Sequence, residues 1–238
     1  MPDILHHRDS AGTGDVPELS LVVPCYNEGA AIERFLARCG PVLERLGVAW
    51  EMVCIDDGSG DDTLELLIAA ARREPRIKVL GLSRNFGKEA ALTAGLEHAR
   101  GAAVVVIDAD LQDPPELIAE MLEKWRAGFD VVYATRRGRS SDTLMKKTTA
   151  NLFYRIYNGL TTVTIPENAG DFRLLDRRVV EALNRLPERT RFMKGLFGWL
   201  GFKQAEVAYD RPPREAGETK FNYWKLWNFA LDLSLIHI

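Results

Sequence analysis

The sequence predicts an α/β fold, doubly wound, with a mainly parallel sheet covered on both faces by helices. Three observations carry that expectation. Short runs rich in Val and Ile, unbroken by polar residues, recur up to about residue 136, as strands buried on both faces require. Amphipathic segments of helical period separate them, so strand and helix alternate and successive strands can run parallel. The composition, 46% hydrophobic and 27% charged with 19 Gly and 11 Pro in 238 residues, allows one domain with a sizeable core and excludes collagen-like and disordered chains.

Each element has its own warrant. Residues 1–17 hold His6, His7, three Asp and several small residues but no apolar run, which argues against a signal peptide and for a disordered tail. Apolar runs then place strands at 19–23, 52–55, 77–82, 102–107 and 131–134, and helical periodicity places helices at 29–46, 62–73, 87–99 and 116–127. Beyond Arg136 the alternation stops. An amphipathic helix at about 142–158 carries Lys146, Lys147 and Arg155 beside Phe153, Tyr154 and Ile156, a face suited either to core packing or to lying on an anionic membrane surface. A polar stretch reaches Gly170, followed by short elements and a loop at 210–219. This half is expected to be appended to the sheet within one domain, 18–220, because no repeat or Ser/Gly-rich linker divides it. Residues 221–232 are aromatic and apolar, with Trp224 and Trp227 near Lys220 and Lys225, the pattern of a segment nearing a membrane interface. That run falls far short of the ~20 residues of a spanning helix. The last six residues, Leu233-Ser234-Leu235-Ile236-His237-Ile238, are what a common sequencing adapter would encode in this frame, so the natural chain is expected to continue past Asp232, with 221–238 the truncated start of a juxtamembrane segment.

Thirty-one basic against 34 acidic side chains leave a net charge of −3, so no global field recruits nucleic acid. Cys25, Cys39 and Cys54 lie in apolar strand or helix patterns without C-x-x-C spacing, which argues against a disulfide framework and a zinc site and fits a reducing compartment.

Ligands of open parallel sheets bind at the carboxyl ends of the strands. Polar residues follow the apolar runs there: Pro24-Cys25-Tyr26-Asn27-Glu28, Asp56-Asp57-Gly58-Ser59, and Asp108-Ala109-Asp110-Leu111-Gln112-Asp113. Each alone reads equally well as a turn or a helix cap. Together they bring three acidic clusters to one edge. If the strand continues through Asp108-x-Asp110, a period of two puts Asp108, Asp110 and Gln112 on one face. Such hard oxygen donors suit Mg²⁺ or Mn²⁺, which takes one or two carboxylates and fills its other positions with water and phosphate. No G-x-G-x-x-G follows the first strand, against a dinucleotide dehydrogenase. Gly81-Leu82-Ser83-Arg84-Asn85-Phe86-Gly87-Lys88 misses the phosphate-loop spacing by one residue and is followed by Glu89, so it reads as a loop opening the helix near Gly87.

These motifs, with Arg84-Asn85-Phe86-Gly87-Lys88, Asn168-Ala169-Gly170-Asp171-Phe172-Arg173 and Arg211-Pro212-Pro213-Arg214-Glu215-Ala216-Gly217-Glu218-Thr219-Lys220, resemble those of family 2 glycosyltransferases, most closely the polyprenyl-phosphate branch that includes dolichol-phosphate mannose synthases and bacterial undecaprenyl-phosphate glucosyltransferases. The resemblance covers about 18–232. It implies a nucleotide-sugar-binding, Rossmann-like fold of GT-A type with a mixed, mainly parallel sheet. Residues matching Pro24, Tyr26, Glu28 and Asp57 would hold the nucleoside. Those matching Asp108, Asp110 and Gln112 would hold the metal, Mg²⁺ or Mn²⁺, and the diphosphate. Asp171 matches the acid proposed as catalytic base, with Asp110 beside it in the catalytic set, and Arg136, Arg211 and Arg214 fall where phosphate-binding arginines are expected. Cys25 stands where a small aliphatic residue is usual. The implied activity is inverting hexosyl transfer from a nucleoside-diphosphate sugar to a polyprenyl phosphate lipid at the cytoplasmic face of the membrane, in cell-envelope metabolism. The membrane is reached through the missing C-terminal segment, and a homo-oligomer is left open. The alternatives are a soluble family 2 transferase acting on a sugar or protein acceptor, and a non-catalytic nucleotide-sugar-binding subunit.

Overall fold

The structure, a computed structural model, describes residues 4–5, 16–136, 169–186 and 193–209. The strands are β1 (Ile4–Leu5), β2 (Leu19–Cys25), β3 (Trp50–Asp56), β4 (Ile77–Leu82), β5 (Ala103–Val106), β6 (Val131–Arg136), β7 (Ala169–Asp176) and β8 (Gln204–Tyr209). The helices are α1 (Gly29–Arg45), α2 (Thr63–Arg73), α3 (Lys88–His98), α4 (Ile118–Arg126), α5 (Arg177–Asn184) and α6 (Met193–Trp199), with a 3₁₀ turn at Pro115–Leu117. They form one eight-stranded sheet in the order β1-β4-β3-β2-β5-β7-β6-β8.

β2 to β6 and β8 all run the same way, and β1 and β7 run against them. Within β2 the side chains divide by parity. Leu19, Leu21, Val23 and Cys25 pack on Ile32, Phe35, Cys39 and Leu43 of α1, whereas Val22 packs on the opposite face with Leu92 and Leu96 of α3 and Val179 and Leu183 of α5. Both faces are therefore apolar, which is why the strands read as unbroken hydrophobic runs. α3 comes unusually close. A Cβ on Gly95 would lie 2.4 Å from Val22 Cγ1 and 2.6 Å from Ile55 Cδ1, so this contact needs a glycine.

Pro24 sits inside a central strand without a missing ladder bond. The pairing of β2 with β5 ends at Val22 and Val106, and the residue after, Ile107, donates to the Val22 carbonyl. Pro24 shares the parity of Val22, so its ring nitrogen faces the side from which β5 has already departed.

The second half does more than the appendage expected from its sequence. β7 inserts antiparallel between β5 and β6, and β8 closes the edge beside β6, so the sheet is incomplete without them. The tail expected over 1–17 also contributes: Ile4–Leu5 pairs with Leu82 and Gly81 of β4. Cys25, Cys39 and Cys54 are free, buried thiols, and burial raises all three, Cys39 and Cys54 to about 12. Among the described residues no helix is long and apolar enough to cross a membrane. The helix expected at 142–158 and the segment 221–238 lie outside the described residues.

Candidate active site

The carboxyl ends of β2, β3 and β5 open onto one cleft of about 260 Å³, lined by Pro24, Tyr26, Glu28, Asp57, Asp108 and Asp110 together with Cys25, Asn85, Gly87, Lys88, Ala91 and Ala109. Six residues singled out in sequence thus meet in one place. They arrive on three different strand ends, and each is fixed by a different local device.

The turn after β2 is locked to the turn after β3. Asn27, at φ 53°, donates its backbone N–H to Ser59 Oγ (2.9 Å), and its side-chain oxygen accepts the Gly60 N–H (2.8 Å). Glu28 starts α1 with its N–H on Thr63 Oγ1 (2.9 Å), and Asp61 accepts the Gly29 N–H (3.1 Å) and the Thr63 N–H (3.1 Å). Asp61 therefore serves two helix starts at once. Tyr26, between these locks, lines the cleft and is 40% exposed, one of three exposed large hydrophobic residues among those described.

Asp57 follows β3 and clamps the loop ahead of α3. Its two carboxylate oxygens accept the N–H groups of Phe86 (2.8 Å) and Gly87 (2.9 Å). Burial pushes its pKa up, the two N–H bonds pull it back, and the net direction is upward. Gly58 makes the clamp possible: it adopts φ +66°, and a Cβ there would lie 2.4 Å from the Arg84 carbonyl carbon.

The Asp108-x-Asp110 motif departs from the expected geometry. β5 ends at Val106, and residues 108–111 form a turn in which Leu111 has φ 58° and the Gln112 N–H donates to Asp110 Oδ1 (3.0 Å). The period of two invoked for Asp108, Asp110 and Gln112 therefore does not apply. Asp108 and Asp110 still face the cleft, but Gln112 is buried and is not among the residues lining it. Asp113 goes the other way, accepting from the hydroxyl of buried Tyr209 at the end of β8.

Asp171 reaches the same edge from β7. The antiparallel register of β5 with β7 ends at Val106 opposite Arg173. Two residues further on, Asp108 and Asp171 would be partners if the ladder continued. Instead a third residue joins them. Lys88, first in α3, places its ammonium 2.7 Å from Asp108 and 2.6 Å from Asp171. Burial opposes its charge, but attraction to the two carboxylates outweighs burial and moves its pKa up. Asp108 moves up as well: burial is the main cause, and repulsion from Asp171 and Asp110 adds to it against the pull of Lys88. Behind Asp171, Arg173 is buried, donates to the Gly170 carbonyl (2.7 Å) and stacks 4.0 Å from the Phe197 ring; burial lowers its pKa to about 10 despite the nearby Asp171.

Lys88 is the functional residue that sequence reasoning missed, having been read as part of a helix-opening loop. The available signal was a lysine opening α3 just after the Arg84-Asn85-Phe86-Gly87 loop, beside three acidic clusters. Arg136 ends β6, in register with Tyr209 of β8, at the same edge; Arg211 and Arg214 lie outside the described residues. Among the described residues no three His, Cys, Asp or Glu side chains form a ready ligand set. Asp108 and Asp110, two carboxylates flanking an open cleft, match an ion that takes one or two protein oxygens and the rest from water and phosphate.

Comparison with known proteins places this geometry. The profile of the family described as Glycosyl transferase family 2 matches residues 20–183. An uncharacterized glycosyltransferase of Synechocystis sp. is 56% identical over 215 residues, covering 90% of this chain and 68% of that protein. A bactoprenol glucosyl transferase of Shigella phage SfV is 49% identical over 215 residues, covering 90% of this chain and 70% of that protein. The chain thus spans about two thirds of the length of these relatives. In fold it is similar to glucosyl-3-phosphoglycerate synthase of Mycobacterium tuberculosis, solved with Mn²⁺, uridine diphosphate and phosphoglyceric acid, with a TM-score of 0.61, 22% identity, and coverage of 85% of this chain and 72% of that one.

Proposed function

The chain belongs to glycosyl transferase family 2, and from that premise we propose that it moves a hexosyl group from a nucleoside-diphosphate sugar to the phosphate of a polyprenyl lipid at the cytoplasmic face of a membrane, inverting the anomeric carbon. The observation that carries the reading is the convergence of Asp57, Asp108, Asp110 and Glu28 on one cleft, with Asp171 joined to them through Lys88. The polyprenyl acceptor is supported by the 49% identity to a relative named for glucosyl transfer to bactoprenol, and the divalent ion by the Mn²⁺ in the similar fold of the Mycobacterium enzyme.

In this reading the Tyr26 ring stacks on the base, and Glu28 and Asp57 accept hydrogen bonds from the nucleoside; each Asp57 oxygen already on the loop retains a second lone pair. Asp108 and Asp110 would hold the divalent ion, Mg²⁺ or Mn²⁺. When bound, it supplies positive charge against the leaving diphosphate. The new bond joins a phosphate oxygen of the acceptor to the anomeric carbon, and the old bond from that carbon to the diphosphate breaks, its electron pair leaving with the nucleotide. Arg136, Arg211 and Arg214 would steady phosphate oxygens, a task for which the guanidinium fork is well shaped. The acceptor is a phosphate monoester with a second pKa of about 6, so at neutral pH it is already largely dianionic. Asp171 therefore orients the acceptor more than it deprotonates it.

The test is a panel of UDP- and GDP-sugars incubated with undecaprenyl or dolichyl phosphate, with and without chelator, read by the mass of the lipid product. The expected result is one hexose added to the lipid phosphate, abolished by chelator and by Asp110→Asn. A product on a soluble acceptor alone, or full activity of Asp110→Asn in excess metal, overturns the assignment.

A further inference from the structure

We propose that Lys88 is the resting counter-ion of the cleft: its ammonium, held between Asp108 and Asp171, competes with the divalent cation for Asp108 and yields that carboxylate only when ion and nucleoside diphosphate arrive together. This rests on the reading of Asp108 and Asp110 as metal-holding residues. The geometry supports it directly. Lys88 Nζ lies 2.7 Å from Asp108 and 2.6 Å from Asp171, so one charge spans two carboxylates that no ladder bond holds together. The side chain is 40% exposed, which leaves it room to swing out. It also lines the same cleft as Tyr26 and Asp110, where a diphosphate would lie.

Charge bookkeeping fixes the order of events. Asp108 and Asp171 share the ammonium of Lys88, with Asp110 beside them on the cleft and the buried Arg173 behind Asp171. A divalent ion arriving alone must break the two Lys88 bonds or sit beside the ammonium and be repelled by it, and either weakens its binding. An ion arriving with a nucleoside diphosphate brings two or three negative charges of its own, and the released ammonium then has phosphate oxygens to donate to. Lys88 thus makes metal and nucleotide bind as a pair, and, because such coupling is reciprocal, each ligand strengthens the other by the same factor. A merely structural bridge predicts the opposite sign: removing Lys88 would let the two carboxylates separate and weaken the ion.

The experiment measures Mn²⁺ binding by the electron-spin signal of the free aquo ion, in the parent chain, Lys88→Gln, Lys88→Arg and Asp110→Asn, alone and with UDP or GDP in separate arms. Releasing charge-assisted hydrogen bonds that water partly replaces corresponds to about tenfold in affinity. Lys88→Gln is therefore expected to bind Mn²⁺ alone about tenfold more tightly than the parent, with a smaller enhancement by nucleotide, while Lys88→Arg keeps the weak binding of the parent. Lys88→Met replaces the Gln variant if that one does not fold, as judged by circular dichroism. Equal or weaker Mn²⁺ binding by Lys88→Gln overturns the inference while leaving the metal reading intact. Unchanged Mn²⁺ binding by Asp110→Asn overturns the metal reading itself, and the inference with it.

Discussion

The amino edge of the sheet offers a control on the carboxyl edge, because there a buried carboxylate is fully paired. Glu51, in β3, is 3% exposed and accepts from Ser20 Oγ (2.6 Å), the Arg100 N–H (2.6 Å) and Lys78 Nζ (2.7 Å). Burial alone would raise its pKa, but these partners outweigh it and hold the carboxyl below the usual range. Glu51→Gln keeps an oxygen for Ser20 and Arg100 but turns an amide N–H₂ toward the Lys78 ammonium. One charge-assisted hydrogen bond is lost, worth ~1.5–3 kcal/mol, and because Lys78 is 30% exposed water recovers part of it, so the expected penalty is about 2 kcal/mol at neutral pH. The sign with pH follows from the direction of the shift. A carboxyl whose folded pKa is lowered contributes stability above its unfolded value of ~4.3, and that contribution disappears as pH falls through the folded value. Urea unfolding of parent and variant from about pH 7 downward should therefore show a gap near 2 kcal/mol that narrows as the pH falls below the unfolded value and through the lowered folded one. No gap at neutral pH, or a gap that persists in acid, refutes the reasoning. Since Glu51 lies at the edge opposite the cleft, nucleotide affinity should not move with it.

Tyr26→Ala should weaken nucleotide binding by about 1–3 kcal/mol, the worth of a base stacked on an aromatic ring, and Tyr26→Phe should not; calorimetric titration with UDP and GDP decides. Gly58→Ala introduces a left-handed alanine, ~1–2 kcal/mol, and a Cβ 2.4 Å from the Arg84 backbone, so it should lower the melting temperature and release the Phe86 and Gly87 N–H groups from Asp57, visible as faster amide exchange there. Asp171→Asn should leave residual lipid glycosylation that rises less steeply with pH than the parent's. Abolished turnover at every pH up to about 8, well above the acceptor's second pKa of ~6, would show that Asp171 is needed as a base after all.

Most of the sheet was legible because burial on both faces leaves a trace: β2 to β6 are apolar at most buried positions, with Ser20, Glu51, Asp56 and Thr135 the exceptions, and α1 to α4 repeat their buried residues at helical spacing. β7 left no such trace. Asp171 and Arg173 interrupt its apolar run, one bonded to Lys88 at the site and the other buried against Phe197, so the strand does not stand out from the short elements expected after Gly170. The turn at 108–111 was misread because nothing in its composition announces Leu111 at φ 58°; an apolar residue in the left-handed region is paid for by the core contacts of its side chain, which only the folded chain supplies. Lys88 was invisible in a different sense. Its partners lie 20 and 83 residues away, and only the strand order brings them together.

That strand order explains why an enzyme edge made of parallel strands includes one reversed member. A parallel strand can present only the residues that follow it, so β2, β3 and β5 each offer one turn to the cleft. A reversed strand presents the residues at its start. β7 pairs with β5 from Ala103 with Asp176 to Val106 with Arg173, and its register with β6 slips between Tyr133 and Thr135, so Asp171 is held from one side and released by the other. The consequence is a carboxylate set directly across from Asp108, two residues beyond the last paired position on each strand, at a separation one ammonium can span. Lengthening β5 by two ladder pairs, Ile107 with Phe172 and Asp108 with Asp171, would draw the two carboxylates into strand register and close the space between them. The short β5, four residues against seven in β2 and β3, is therefore part of the site's construction.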